Sequence, residues 1–313
     1  MRLFPALRPV CTSHRFARAG GGNRMTKREQ ALRRSLWTGH PGNMVGAGAP
    51  ASEPRGVLAT GYRVEACMES HMGRVRSSNQ DSLGFVCPAD ATQLRDRGVL
   101  VMIADGMGGH NAGEIASAMA VEVLCRSYFE GADADPGDAL AAAMRQANEV
   151  ILLAAATDSA LAGMGTTATA LVLVDSLVLF AHVGDSRLYR CRGGRCRQLT
   201  GDQTVAAEMV RSGLLSATQA RHHPARHVLV ESLGSEQPLR VVTQADAPPL
   251  IGEAFVLCSD GLWESVDADE IGHSVSTLDA ATACRRFIEL ALERDGSDNI
   301  SVAIVSVRPP APS

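Results

Sequence analysis

Residues 98–117, GVLVMIADGMGGHNAGEIAS, contain an apolar run that ends directly on a carboxylate. The run 99–104 has no polar side chain, which predicts a β-strand. Asp105 follows at once, and a glycine-rich loop that carries His110 separates it from apolar residues with helical spacing at 112–129. A strand that ends on a carboxylate, beside a loop too small to shield it, indicates a site for a cation or a phosphate.

Composition narrows the class of protein. The 313 residues are 45% hydrophobic and 20% charged, which is typical of a soluble globular protein, and no window holds eighteen uninterrupted apolar residues. The net charge of −4 hides an asymmetry, because residues 1–56 carry ten basic and two acidic side chains and the remainder carries 20 basic and 32 acidic ones. So acidic a body argues against nucleic acid as a partner, and no membrane partner is expected.

The chain divides into three parts by its patterning. Residues 1–56 lack periodic hydrophobicity and are expected to be disordered or to result from an over-extended translation start, with organelle targeting as the less favoured alternative. Residues 57–308 are expected to form one folded domain, and 309–313 a disordered tail. No apolar signal-peptide core follows the early arginines, so the cytoplasm is the expected location.

Short apolar segments outnumber the helical ones. Tight turns between neighbouring segments favour antiparallel pairing, so we expect a β-sandwich flanked by helices. Residues 201–230 break the pattern and predict a small flap. The predicted strands are 99–104, 168–174, 177–183, 187–191, 240–244, 254–259 and 300–307, and the predicted helices are 112–129, 136–156 and 279–294.

The eight cysteines lack the CxxC spacing of a zinc site or the density of a secreted disulfide framework. A two-residue turn at Gly193-Gly194 would set Cys191 opposite Cys196, close enough to bridge. A reducing cytoplasm favours free thiols at these two positions, and a bridge remains the alternative.

Four more aspartates stand at the ends of apolar segments: Asp81, Asp185, Asp260 and Asp298. Each alone would be explained as a turn residue or a helix cap. Together with Asp105 they predict a single site, although two carboxylates about 4 Å apart repel by roughly 4 kcal/mol at an effective dielectric of 20. An all-oxygen set of this kind selects Mg²⁺ or Mn²⁺, with Ca²⁺ as a poorer alternative.

The ordered motifs resemble those of the metal-dependent Ser/Thr protein phosphatases, the PPM or type 2C family, in its compact bacterial form. The resemblance covers about residues 60–307 and implies an α+β fold, an αββα four-layer sandwich with two central antiparallel sheets flanked by helix pairs. The motifs are VRSSNQD, ADGMGGHNAGEIAS, GMGTTATALVL, AHVGDSRLYR, LCSDGLWE and SDNISVAIV.

The resemblance also implies a cofactor and its ligands: two Mn²⁺ or Mg²⁺ ions, with a third, weaker ion in some bacterial members. In the family's pattern one aspartate bridges both ions, one carbonyl binds an ion, and one carboxylate acts through water. In this sequence these positions correspond to Asp105 as the bridge, the Gly106 carbonyl, Asp260 and Asp298 on one ion, Asp81 through water, and Asp185 at the third ion.

The implied chemistry is hydrolysis of phosphoserine and phosphothreonine by a metal-bridging hydroxide, with Arg76 binding the phosphate through its guanidinium fork. His110 is a candidate general acid, but its spacing from Asp105 differs from the family pattern, so a catalytic role and a structural one stay open. The expected partners are phosphoproteins opposing a bacterial Ser/Thr kinase, and a monomer is expected. A non-catalytic regulatory module of the same fold is the alternative.

Structural roles are expected for three further features of the sequence. Thr166 and Thr167 are expected to bond a nearby loop through their hydroxyls, and His182 to pack beside the site. Trp263 is expected to anchor the core. The histidines of the predicted flap, among them His227, are equally consistent with substrate contact and with simple exposure.

Overall fold

The computed structural model describes residues 9–11, 55–57, 62–109, 112–175 and 177–310. The strands are β1 (Pro9–Cys11), β2 (Arg55–Val57), β3 (Arg63–His71), β4 (Asp81–Val86), β5 (Val99–Met107), β6 (Gly165–Thr166), β7 (Ala168–Val174), β8 (Leu177–Val183), β9 (Arg187–Arg192), β10 (Arg195–Gln198), β11 (Val242–Asp246), β12 (Ala254–Cys258) and β13 (Ile300–Arg308). Apart from β1 and β2, the segment 1–56 predicted to be disordered or over-extended lies outside the described residues, as do 311–313 of the predicted tail.

The helices occur in groups between runs of strands along the chain. None of them, within the described residues, is long and apolar enough to cross a membrane. They are α1 (Ala91–Arg97), α2 (Ala112–Glu130), α3 (Pro136–Thr157), α4 (Val205–Arg211), α5 (Ala217–Ala220), α6 (Asp260–Trp263), α7 (Ala268–Thr277) and α8 (Ala280–Arg294), with a 3₁₀ turn at Ser159–Leu161.

Two antiparallel sheets form the centre of the sandwich. The first has the strand order β1-β4-β5-β7-β8-β11, with β6 pairing onto β5, and the second has the order β10-β9-β12-β13-β3-β2. Helices α2 and α3 share an apolar cluster with the outer face of the first sheet, and α7 and α8 share another with the outer face of the second. The expected four-layer αββα arrangement is therefore confirmed.

The run 99–104 is apolar throughout because both faces of β5 are buried. Val99, Val101 and Ile103 lie in the core between the two sheets, whereas Leu100 and Met102 lie in the core beneath α2 and α3. A strand buried on one face alone would alternate apolar and polar side chains. β5 is thus the central strand that carries Asp105 to one end of the sandwich.

The predicted elements match where the pattern is strong and miss where it is weak. The predicted strands 168–174 and 177–183 coincide with β7 and β8, and α8 begins after Asp279, which caps it. β3 and α7 were not predicted. β3 places Glu65 and Glu69 among its apolar residues, and α7 contains Gly272 and has few apolar positions, so neither shows a run that exceeds its surroundings.

The hairpin of β9 and β10 corrects the preference for free thiols at Cys191 and Cys196. The two sulfurs are bonded to each other in the structure. Gly193 and Gly194 both have positive φ, which gives the two-residue turn whose register sets the cysteines directly opposite, with Cα atoms 4.0 Å apart. The turn geometry therefore decides the pairing.

The predicted flap near 201–230 is present as α4, α5 and the loops that join them. Its two ends return to the sandwich beside the aspartates. The isolated bridge between Thr204 and Leu229 joins the two ends of the flap to each other, and the bridge between Thr166 and Leu233 ties the residues just after the flap to β6. The backbone N–H of Gln203 donates to the carbonyl of Gly184 at 2.8 Å, which ties the start of the flap to the residue before Asp185.

Replacement of a side chain in the core between the sheets should cost stability. Ile103 is fully buried, so Ile103→Ala removes apolar contacts and leaves a cavity, and we expect the free energy of unfolding to fall by about 2–5 kcal/mol. Urea denaturation measures the loss. Leu153→Ala is the control, because that side chain is 65% exposed and its removal should change stability by less than about 0.5 kcal/mol.

Candidate active site

The first sheet brings three of the predicted aspartates to one end. Asp81 begins β4 and pairs in register with Asp105 near the end of β5, which places both side chains on the same face of adjacent strands. Asp185 follows β8, whose Val183 pairs with Ala168 at the start of β7. The backbone of Thr167, one residue earlier, donates to the carbonyl of Asp105. Asp185 and Asp105 therefore lie at neighbouring strand ends.

The second sheet supplies the remaining two. Asp260 follows β12 and Asp298 precedes β13, and these strands are antiparallel neighbours whose register pairs Cys258 with Val302. The hydroxyl of Ser259 donates to Oδ2 of Asp81 at 2.8 Å, which joins the ends of the two sheets. Five aspartates that are far apart in sequence are thus brought together at one end of the sandwich.

The electrostatics show how closely these carboxylates interact. Loss of hydration on burial is the largest cause that raises the pKa of Asp81 to about 7, of Asp185 to about 8 and of Asp260 to about 6. Repulsion from the neighbouring carboxylates adds to each of these shifts. The pKa of Asp105 is raised well above its usual value by burial and by repulsion from all four of the others. The site strongly favours added positive charge.

The donor set fits a hard divalent cation. The side chains that meet here offer carboxylate oxygens, and the raised pKa values mean that a cation would relieve a repulsion already present. Within the described residues, no three His, Cys, Asp or Glu side chains already stand at ligand spacing around one point. Ion binding would therefore include adjustment of these side chains.

Arg76 lies at the mouth of the site. Its Nη2 donates to Oδ2 of Asp298 at 2.7 Å, and its side chain is half exposed. The bond to Asp298 is the main cause that raises the pKa of Arg76, and Asp105 and Asp260 add to it. The predicted phosphate-binding arginine therefore stands within the field of three of the aspartates while remaining open to solvent.

Asn299 holds the loop that carries Arg76. Its Nδ2 donates to the carbonyls of Met72 and Ser78, both at 2.9 Å, and its Oδ1 accepts from the backbone of Gln80 at 2.8 Å. Sequence reasoning did not assign this residue a role. Asn299 stands in the quoted motif SDN, which could have indicated a role, but an asparagine after an aspartate is also common in ordinary turns.

The backbone of Asp105 is held by the two threonines, as predicted. The hydroxyl of Thr166 donates to the carbonyl of Asp105, and the hydroxyl of Thr167 accepts from its N–H, both at 2.9 Å. The hydroxyl of Thr167 also bonds Ser186 at 2.8 Å. These bonds fix the main chain of Asp105 and do not involve its carboxylate.

Gly106 is required for close packing rather than for a turn. Its φ is not positive, and it lies within β5, where a Cβ atom would come within 2.0 Å of the carbonyl oxygen of Gly113. Gly261 has a similar role, because a Cβ there would lie 2.1 Å from the carbonyl oxygen of Asn299. Close packing against Gly113 therefore excludes a side chain at Gly106, and its proposed carbonyl ligation stays a prediction.

Two histidines have different outcomes. His110 lies outside the described residues, so its role stays a prediction. His182 is buried on β8, where its Nδ1 bonds the hydroxyl of Thr169 at 2.9 Å. Burial lowers the pKa of His182 to about 4. It is a neutral packed side chain near the site, as expected.

Trp263 does more than anchor the core. Its indole N–H donates to the carbonyl of Asp185 at 3.0 Å, and the guanidinium of Arg187 lies 3.5 Å from its ring centroid. Arg187 in turn makes two bonds to the carboxylate of Asp202 at the start of the flap. Trp263 and Arg187 therefore join α6, Asp185 and the flap.

The flap contributes one histidine to the neighbourhood of the site. Nδ1 of His227 lies 3.9 Å from Oδ2 of Asp260, and its Nε2 lies 3.5 Å from Oε1 of Glu264. His223 instead accepts a hydrogen bond from the backbone of Ala225. The flap histidines thus differ, and of these two only His227 faces a predicted metal ligand.

Comparisons with known proteins agree with this arrangement. The family "Protein phosphatase 2C" matches residues 70–293. The Listeria innocua serine/threonine phosphatase stp is 35% identical over 240 residues, which cover 74% of this chain and 92% of that protein. The Mycobacterium tuberculosis phosphatase PstP is 34% identical over 76% of this chain, but the matched region spans only 44% of its length.

Solved structures extend the comparison to the fold. The crystal structure of M. tuberculosis PstP has a TM-score of 0.68 at 32% identity and covers 78% of this chain and 99% of that one. The PstP catalytic domain in complex with two manganese ions has a TM-score of 0.67 at 31% identity, with 78% and 98% covered.

Cation binding at the aspartates should release protons. Several carboxyls with pKa values of about 6 to 8 are partly protonated near neutral pH, and a cation binds the ionised form. We therefore expect the apparent affinity for Mn²⁺ to fall as the pH is lowered from 8 to 6. Calorimetric titration in buffers of different ionisation enthalpy measures the protons released, and an identical heat in every buffer would contradict the expectation.

The contribution of His182 to stability should decrease in acid. Its folded pKa of about 4 lies below the unfolded value near 6.5, so the unfolded chain takes up a proton first as the pH falls. The stability that His182 contributes above pH 6.5 is lost between 6.5 and 4, by about 3 kcal/mol. The buried carboxyls with raised pKa values act in the opposite direction over this range and are common to both proteins, so urea denaturation should show the stability difference between the native protein and His182→Gln changing by about 3 kcal/mol between pH 6.5 and 4, to the disadvantage of the native protein.

Proposed function

This chain belongs to the protein phosphatase 2C family, and we propose that it is a metal-dependent phosphatase that hydrolyses phosphoserine and phosphothreonine in proteins. The convergence of five aspartates at one end of the sandwich, with Arg76 at the mouth, carries the proposal. A half-exposed guanidinium beside a cation-binding pocket fits a phosphate ester that enters from solvent.

The aspartates would hold two divalent ions, with Mn²⁺ supported by the PstP structure that contains two of them. When bound, the ions supply Lewis-acid activation of water and neutralise charge on the phosphate. Mg²⁺ as an alternative and a third ion at Asp185 belong to the proposal. The proposed ligands are Asp81, Asp105, Asp185, Asp260, Asp298 and the carbonyl of Gly106.

The chain's own groups would bind and orient the substrate. Arg76 would place its guanidinium fork on two phosphate oxygens, since a neutralised Asp298 would hold it less tightly. The threonine bonds to the backbone of Asp105 keep that carboxylate in place during exchange of water and phosphate. His110 remains a candidate for donating a proton to the leaving oxygen of the serine or threonine, which departs as a hydroxyl.

The broader setting is also part of the proposal. We propose that the protein acts as a monomer in the cytoplasm and reverses a bacterial Ser/Thr kinase in signal transduction, since its relatives include bacterial Ser/Thr phosphatases. The alternative is a non-catalytic module of the same fold. Retention of mutually repelling carboxylates argues against it, because a binding module gains nothing from that repulsion.

Removal of one central carboxylate should abolish turnover without unfolding the protein. Asp105→Asn relieves repulsion, so stability should be kept or raised, whereas Mn²⁺-dependent phosphate release from a phosphothreonine peptide should fall by about a thousandfold or more. Asp96→Asn is the control, because Asp96 is 57% exposed and pairs with Arg95 on α1. Activity of the native protein that persists unchanged in EDTA would contradict the proposed mechanism.

A further inference from the structure

The flap loop, residues 221–231, is held from two sides. On one side its backbone pairs with the segment before α4, where Val205 N–H donates to the carbonyl of Val228 and Val230 N–H donates to the carbonyl of Gln203, both at 2.8 Å. On the other side it meets Glu264 at the end of α6. A loop of this length needs such anchors to keep one conformation.

Glu264 is the anchor on the site side. Its Oε1 lies 3.7 Å from Nε of Arg226 and 3.5 Å from Nε2 of His227. Glu264 also follows Trp263 and ends the short helix that begins at Asp260. The position of the flap loop is therefore coupled to the helix that carries a proposed metal ligand.

The anchored loop exposes apolar side chains next to the site. Val228 is 51% exposed and Val230 is 45% exposed, although both main chains are hydrogen-bonded. Val75 is 74% exposed and adjoins Arg76 on the opposite loop. Val228 adjoins the histidine that faces Asp260, and Val75 adjoins the arginine bonded to Asp298. Asp260 and Asp298 are close enough to repel each other, so each valine adjoins a residue that lies beside the same carboxylate pair.

We propose that Glu264 is a positioning residue that holds the flap loop so that Val228 contacts an apolar side chain of the substrate polypeptide next to its phosphorylated residue. The inference rests on the proposed function. A phosphate bound at Arg76 requires the polypeptide on either side of it to cross the rim of the site. Val75 and Val228 are exposed and adjoin Arg76 and His227, so an extended substrate chain with apolar flanking residues would bury both.

The exposed valines adjoin the proposed phosphate site. We therefore favour a substrate chain, rather than a second copy of this protein, as the partner that covers them. Arg226 beside the rim is 44% exposed although it lies near Glu264, and an arginine there suits a substrate segment bearing phosphate. A second copy would bring its own flap cations to the same surface in a symmetric contact, and like charges would then face each other.

Comparison of a peptide with a small ester separates positioning from chemistry. The native protein, Glu264→Gln and Val228→Ser are assayed on three substrates: a phosphothreonine peptide with apolar flanking residues, the same peptide with serine flanks, and para-nitrophenyl phosphate. We expect KM for the apolar peptide to rise about threefold to tenfold in both variants. The serine-flanked peptide should respond less. All assays use saturating Mn²⁺, because Glu264 repels Asp260 and its removal can alter ion affinity. Under that condition kcat/KM for para-nitrophenyl phosphate should change by less than about twofold, because this ester does not reach the flap loop.

Two control variants carry the same types of substitution at positions away from the proposed contact. Glu208→Gln removes an exposed carboxylate that pairs with Arg211 within the flap, and Ile251→Ser removes an exposed apolar side chain outside the flap. Both should retain the native KM values. Arg226→Gln should raise KM for the apolar peptide as Glu264→Gln does, and the double variant should show less than the product of the two single effects, because both single changes break the same contact.

Three results would overturn the inference. Equal losses on all three substrates would assign Glu264 to the chemistry or to folding, and unchanged peptide KM values in both variants would exclude the contact. A native dimer in sedimentation that Val228→Ser converts to a monomer would assign the valine to self-association. Failure of the native protein to hydrolyse any substrate would overturn the proposed function itself, whereas normal native activity with unaffected variants would overturn this inference alone.

Discussion

Repulsion among carboxylates at one end of the sandwich is the constraint on which the rest of the structure depends. Asp81 is fully buried and Asp185 nearly so, and burial raises the pKa of each far above the usual value for aspartate. Such an arrangement disfavours folding unless other parts of the chain supply the missing stability. The doubly buried strands of the two sheets, with β5 at the centre, provide that apolar burial.

The chain holds these aspartates mainly through its backbone. Thr166 and Thr167 bond the main chain of Asp105, Trp263 bonds the carbonyl of Asp185, and Asn299 bonds the loop that leads to Asp81. Bonds of this kind fix where a carboxylate stands and leave most of its oxygens open to a cation. If each aspartate were instead paired with an arginine, a bound cation would have to compete with a guanidinium for the carboxylate. Asp298, which pairs with Arg76, is a site aspartate where the structure shows such a pair.

The flap is connected to the aspartate site by side-chain contacts. Asp202 at its start pairs with Arg187, which stacks on Trp263, and Glu264 meets Arg226 at its far side. Both contacts end on or beside α6, which also carries Asp260. The surface that a substrate would meet and the pocket that would hold the ions are therefore joined through one short helix.

The sequence by itself determined the strong elements and the site aspartates. β5, β7 and β8 were predictable because both of their faces are apolar, and the five aspartates because each ends or begins an apolar segment. Only the tertiary structure decided the bonding of Cys191 to Cys196, the packing reason for Gly106, and the roles of Asn299, Trp263 and Glu264. Those depend on partners that are distant in sequence, or on one turn's backbone angles. Residue type and local spacing carry no information about which distant atoms will be within bonding reach.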